Sequence, residues 1–341
     1  WLVLFGHHFS SIAGAGPIIG PVIACFLWGW LPALLWIILG TVFIGGVHDF
    51  GSLITSVREG ATSIPDIASK VISKKAKLIF SLFVFMALIL VIAVFAYLCA
   101  DTFVKDPGIV FPSLGLIPLA LLVGLLLYRL KINSFLVTVL GMICLVYLIF
   151  LGTIFPISLG KNGLYIWMFV LFIYSYFASV LPVNILLQPR DYLSSFLLFL
   201  GMGFALLGII LSNSFIKTPL FIKYNTDQGW LWPMLFVTVA CGAISGFHTL
   251  IASGTTSKQL PNERFAKRIG YAGMLTEGLL AVLVVVAVAS LNLNKDYLGF
   301  YLKQKGPIWI FSQGYNLITH KILKGWGGFF AITILNAFIL T

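Results

Sequence analysis

Two histidines stand side by side, His7 and His8, just ahead of the run Ser10-Ser11-Ile12-Ala13-Gly14-Ala15-Gly16-Pro17. Glycine loosens a helix backbone, and proline removes a donor and clashes one turn back. A break of this kind frees carbonyls that can hold a cation. At the start of the following half-helix it also frees N–H groups that can hold an anion. Close helix packing through small residues is the competing reading of the same glycines. A second run of similar character is Cys241-Gly242-Ala243-Ile244-Ser245-Gly246-Phe247-His248, continuing to Ala252-Ser253-Gly254-Thr255-Thr256. Its hydroxyls at Ser253, Thr255 and Thr256 suit a small alkali cation such as Na+, unless they bond back to their own helix.

The titratable residues suggest proton chemistry. His7 and His8 point roughly 100° apart on a helix, so they cannot share one metal, but either can carry a proton or meet a substrate. His48-Asp49 lies in an otherwise uncharged stretch, and Arg58 follows nine residues later. Asp49 therefore sits about 13 Å deeper along a straight helix. Glu277 is the only acid between Glu263 and Asp296. An ionisable group buried in hydrocarbon is expensive, and it persists where it is paired, protonated or wet. Asp49, Glu277, His48 and His248 are thus candidate coupling groups, with structural pairing as the alternative. Pro182 should break its helix and leave Asn184 and Gln188 seeking partners. Arg190-Asp191 reads either as an ordinary loop pair or as a gate at which arginine grips a carboxylate in a bidentate way.

The elements that must position these residues are membrane helices. Of 341 residues, 60% are hydrophobic and 9% charged. Runs of about 20 apolar residues cross a bilayer. Ten spans are expected at 9–29, 32–57, 78–100, 113–129, 132–155, 164–187, 192–211, 230–251, 270–292 and 327–341. Residues 293–326 are expected as a long loop. In that topology twelve basic residues fall in inner loops, Arg190 among them, and nine in outer ones. The first span then starts at the cytoplasmic side. Residues 63–77 read as a short amphipathic helix on the inner surface, capped by Ser63, with Pro65 and Asp66 in its first turn. The chain is expected to be one transmembrane domain, residues 1–341, truncated at both ends, since it opens on Trp1 and stops within an apolar run.

The composition and motifs exclude several classes. The net charge of +11 sits in connecting loops facing lipid headgroups, so nucleic acid is not an expected partner. Cys25, Cys99, Cys144 and Cys241 are scattered singly and read as small buried hydrophobes. No P-loop, dinucleotide fingerprint or nucleophile elbow is present, so neither an enzyme of those classes nor an organic cofactor is expected.

Several strings together resemble the carbon starvation protein A family. They are Phe5-Gly6-His7-His8-Phe9, Ala13-Gly14-Ala15-Gly16-Pro17, Gly20-Pro21, Val47-His48-Asp49-Phe50, Leu187-Gln188-Pro189-Arg190-Asp191-Tyr192 and the run from Ser245 to Thr256. The resemblance extends from Phe5 to at least Glu277. It implies a multi-pass inner-membrane secondary transporter that imports peptides during carbon starvation, or pyruvate with protons. It also implies an all-α bundle of two inverted five-helix repeats, with broken first and sixth helices and a sodium site, where used, between the first and eighth.

The expectation is therefore a cation-coupled importer of a small carboxylate-bearing nutrient. Ser11, Gly14, Ala15 and Gly16, with Asn184 and Arg190, would hold the substrate. His7, His8, His48, Asp49, His248 or Glu277 would carry the proton. Ser253, Thr255 and Thr256 would hold Na+ if sodium is used. A channel and an intramembrane metalloenzyme are the rival readings. The sequence does not fix the oligomeric state.

Overall fold

The computed structural model describes residues 1–212, 216–291, 301–302 and 304–339. It is an all-α membrane architecture. The first span is bent: α1 (Leu2–Ile12) and α2 (Gly16–Leu27) meet at 42° across residues 13–15. Pro17 sits in the first turn of α2, where a missing N–H costs little. Gly29, at φ +105°, turns the chain into α3 (Trp30–Arg58), which carries a π-helical turn at Thr41–Gly45. An L side chain at Gly29 would be strained and would press on the Leu220 carbonyl.

The short helix α4 (Ile64–Val71) follows, capped by Ser63, which accepts from the Asp66 backbone. It is shorter than expected, because residues 74–77 already belong to α5 (Lys74–Lys105). Lys77 and the Ser63 hydroxyl hold the exposed Asp66 carboxyl below the usual carboxylate range. At 32 residues, α5 is about 48 Å long, ample to cross a bilayer. Leu78, Ile79, Phe83 and Phe85 stand exposed on it, as a lipid-facing helix requires.

Next come α6 (Pro107–Arg129), α7 (Ser134–Ile154), α8 (Gly163–Val180) and α9 (Leu187–Ser212). As expected, Pro182 lies just beyond the end of α8. The boundary assigned to the sixth span at residue 187 was too late: 181–186 form a turn, and Leu187 opens α9. A two-stranded hairpin, β1 (Asn225–Thr226) and β2 (Gly229–Trp230), leads into α10 (Leu231–Thr238).

The eighth span is broken. Residues 239–245 form turns, and α11 (Gly246–Ile251) resumes and runs through a π-helical turn at Ala252–Thr256 to Gln259. The second break thus ends at Ser245, and residues 246–256, expected to be unwound, are helical. The chain continues with α12 (Glu263–Ala289), α13 (Pro307–Leu323) and α14 (Gly327–Ile339).

Among the described residues, seven helices are long and apolar enough to cross a membrane, or eight counting the bent pair as one span. The expected loop at 293–326 needs correction: among its described residues, α13 is a largely buried helix packed on α9, α12 and α14. The broken sixth helix implied by the resemblance is not seen, since α8 is continuous and the second interruption falls between α10 and α11.

One apolar core joins α2, α9, α12 and α13 through residues such as Ile18, Val22, Leu197, Val284 and Ile310. Glycines let the two broken helices touch. A side chain at Gly20 would run into the Thr238 carbonyl, and one at Gly16 would meet Cys241 Cβ at 2.5 Å. Gly20→Val should therefore lower stability by about 1–3 kcal/mol through overpacking. Thermal unfolding of the purified variant checks this; an unchanged midpoint would mean that the two breaks are not pressed together.

Candidate functional site

The break at residues 13–15 lies against the break at 239–245. Cys241 faces Gly16, and Pro17 Cα is 3.6 Å from a Cβ placed on Gly242. The Thr41 hydroxyl donates to the Gly242 carbonyl at 3.0 Å, so the π-helical turn of α3 supplies one of the partners that unwound backbone needs. Around this junction lie two groups of buried polar side chains, with α1 between them.

The first group faces a cavity of about 280 Å³, lined by His7, Ser11, Tyr174, Asp191 and Thr255 among apolar walls that include Phe95 and Phe247. His7 Nδ1 lies 2.6 Å from Asp191 Oδ2, and Ser11 donates to the same oxygen at 3.3 Å. Arg190 donates to Asp191 Oδ1 through Nε at 3.2 Å and Nη2 at 3.0 Å, and its Nη1 meets the Tyr174 hydroxyl. Both Arg190 and Asp191 are 1% exposed, so this is a fully desolvated ion pair. The pair is set by the first turns of α9, whose Ser195 packs against Gly6 of α1.

The second group is a chain of side chains from α3, α11, α12 and the second break. His48 Nε2 lies 2.9 Å from the Thr249 hydroxyl, and its Nδ1 lies 2.9 Å from Asp49 Oδ1. Asp49 Oδ2 lies 2.7 Å from His248 Nδ1. The other ring nitrogen of His248 is 3.1 Å from Glu277 Oε2, an ion-pair distance without hydrogen-bonding geometry. The Cys241 thiol donates to Glu277 Oε1 at 3.4 Å. Asp49, His248 and Glu277 are completely buried. An imidazole between two carboxylates bonds to both ionised groups only when it is doubly protonated. His248 and Glu277 are thus neighbouring titratable groups whose side chains must realign before a proton can pass between them. Gly270 lets α12 approach the Asp49 backbone closely enough to build the chain.

His8 points away from His7, as their adjacency on one helix requires. Its Nδ1 lies 2.9 Å from the Thr256 hydroxyl, and its Nε2 has no hydrogen-bond partner. The Ser253 and Thr255 hydroxyls donate to the Thr249 and Ile251 carbonyls of their own helix, at 2.8 and 3.0 Å. Cys241, His248 and Glu277 are residue types that bind metals, with donor atoms within 4.8 Å of one another. The thiol–carboxylate hydrogen bond and the imidazole–carboxylate approach already account for that spacing.

Of the expected substrate residues, Ser11 and Gly14 line the cavity, Ala15 is buried at the start of α2, and Gly16 faces Cys241. Asn184 is not brought to them. It is exposed in the turn after α8 and borders a different pocket with Tyr128 and Arg129. Arg190 is no loop residue; it is buried in α9, and its charge is held by Asp191.

Sequence reasoning missed five members, among them Thr41 and Thr249, whose hydroxyls gave no signal. Asp191 was visible only as the neighbour of Arg190. Cys241 had been set aside as a small hydrophobe. Tyr174 carried no signal within its apolar stretch.

The fold and the site together define a polytopic all-α membrane protein whose helices are interrupted around buried titratable side chains. A family model, described as "Carbon starvation protein CstA", matches residues 1–303, and the chain belongs to that family. Among curated relatives, the chain is 37% identical to the pyruvate/proton symporter BtsT of Escherichia coli (strain K12), over 84% of the chain and 42% of the relative. It is 34% identical to the peptide transporter CstA of the same organism, over 97% of the chain and 48% of the relative. It is also 34% identical to the peptide transporter CstA of Bacillus subtilis (strain 168), over 85% and 50% respectively. The chain thus spans about half the length of the curated relatives it matches. These relatives are named as transporters, not enzymes. No solved structure gives a significant match to the chain.

Proposed function

We propose that this chain forms the translocating bundle of a proton-coupled secondary transporter that imports a small nutrient, pyruvate or short peptides, across the cell inner membrane during carbon starvation. The observation that carries the reading is the meeting of two helix breaks beside a cavity, with a buried carboxylate–imidazole–carboxylate chain behind it. Transporters of broken-helix design bind substrate where unwound backbone lines a cavity, and alternate access by rocking one group of helices against another. Names of relatives, one a proton symporter and others peptide transporters, support the same class.

In this reading Ser11, Gly14, Ala15 and Gly16 form the substrate-facing edge of the first break. Asp49, His248 and Glu277 carry the coupling proton, with His48 holding Asp49 in place and His8 linking α1 to α11. A proton is favoured over sodium because the buried His248 stands between two carboxylates and one relative is named a proton symporter. Residues 1–341 are assigned to one transmembrane domain with α4 on the inner surface, built as about ten crossing elements in two inverted five-helix repeats. The resemblance supports that assignment, although the second break lies in the eighth span and not in the sixth.

The test is uptake of labelled pyruvate and labelled dipeptides into proteoliposomes under an imposed proton or sodium gradient, followed by counterflow. Gradient-driven accumulation with exchange acceleration is expected. Passive equilibration without exchange acceleration would make the protein a channel.

A further inference from the structure

Three donor groups of different kinds converge where the second break meets α12. Cys241 Sγ lies 3.4 Å from Glu277 Oε1 and 4.0 Å from His248 Nε2, and His248 Nε2 lies 3.1 Å from Glu277 Oε2. A tetrahedral zinc ion holds sulfur at about 2.3 Å and nitrogen or oxygen at about 2.0–2.2 Å, which sets its ligand atoms roughly 3.3–3.6 Å apart. Each of the three separations falls within about half an ångström of that range. Glu277 turns one oxygen to the thiol and the other to the imidazole, so its carboxylate spans the gap between them.

Two further observations point to an ion. The thiol–carboxylate hydrogen bond explains why Cys241 and Glu277 lie together, but it leaves the buried Glu277 Oε2 facing the imidazole with no hydrogen bond. On the far side of that imidazole, Nδ1 is held by Asp49 Oδ2 at 2.7 Å, and Asp49 is held in turn by His48, which meets Thr249. A carboxylate behind a ligating histidine fixes the ring and presents its other nitrogen, here Nε2, to a metal. Cys241 alone of the three ligands keeps some exposure, on the second break.

We propose that Cys241 Sγ, His248 Nε2 and the Glu277 carboxylate form a zinc site, with Asp49 as the positioning residue for His248. Thiolate, imidazole and carboxylate together suit a borderline-soft divalent ion, not an alkali or alkaline-earth one. Three protein ligands leave a fourth position for water. The thiolate is the ligand, so the Cys241 proton leaves to solvent on binding. Thiolate and carboxylate then cancel the charge of the ion, as a site enclosed by membrane helices needs. The ion ties the second break to α11 and α12. It also takes His248 and Glu277, the groups given above to the coupling proton. Zinc and that proton therefore exclude one another, and zinc stops coupled uptake; this consequence, unlike the site, rests on the transporter reading.

Purified full-length chain, stripped with a chelator, is dialysed to equilibrium against ZnCl2 or CoCl2. One ion per chain is expected, with a thiolate-to-cobalt charge-transfer band in the cobalt form. Cys241→Ser should abolish the band and weaken zinc binding at least about tenfold, whereas Asp49→Asn should keep the band and weaken binding about 10–100-fold. Cys144→Ser, which removes the exposed thiol, should change neither. No thiolate band in the unmodified protein at saturating cobalt, or a band that persists in Cys241→Ser, would overturn the site. In proteoliposomes, zinc should inhibit gradient-driven uptake. Undiminished uptake by protein that carries the ion would instead remove His248 and Glu277 from the coupling scheme and leave the metal site standing.

Discussion

Asp49→Asn and Glu277→Gln proteins should fold and reach the membrane, yet at least one should fail to accumulate substrate against its gradient. Both substitutions keep side-chain volume and one acceptor oxygen, so the packing around His248 survives. Neither amide can carry a proton through a cycle. A pH difference of one unit is worth about 1.4 kcal/mol per proton, which sustains roughly tenfold accumulation. Loss of coupling reduces that ratio to one, while exchange at equal concentrations persists. Uptake by the variants under an imposed pH gradient measures this directly. Full accumulation by both would remove the buried carboxylates from the coupling scheme.

The second large effect is on folding. Asp191→Leu leaves the Arg190 guanidinium buried without its carboxylate, and breaking a buried ion pair costs about 3–5 kcal/mol. The double substitution Arg190→Met/Asp191→Leu removes both charges and should recover part of that loss, the rest reflecting the partners taken from His7, Ser11 and Tyr174. Thermal unfolding of purified single and double variants, with the yield of folded protein, provides the comparison. If the double variant is as impaired as the single one, the pair is not what holds α9 in place.

Much of this was readable in the residues. Gly14, Gly16 and Pro17 mark the bend between α1 and α2 through rules that act within a few residues. Asp49 and Glu277 announced themselves as charges in apolar helices, and the structure joins them through His248. The errors came where tertiary contact decides. Gly246 and Gly254 looked like helix breakers, but both lie within α11, and the interruption falls upstream at 239–245. Gln313, Asn316, His320 and Lys321 dilute the apolar pattern of α13, so a helix buried among α9, α12 and α14 resembled a loop. Pro182 correctly ended α8, yet nothing local could show that Asn184 would turn outward while Arg190, six residues on, turned inward.

Proton movement driven by substrate alone tests the central claim most directly. Proteoliposomes holding a pH-sensitive dye are prepared at equal pH on both sides, with charge movement short-circuited by potassium and valinomycin, and pyruvate or a dipeptide is then added outside. A proton-coupled importer predicts that the lumen acidifies in step with entry of the labelled substrate, and that the Asp49→Asn or Glu277→Gln variant that loses accumulation also loses the acidification. Substrate entry with no change in lumenal pH, beyond that of protein-free vesicles, would contradict it.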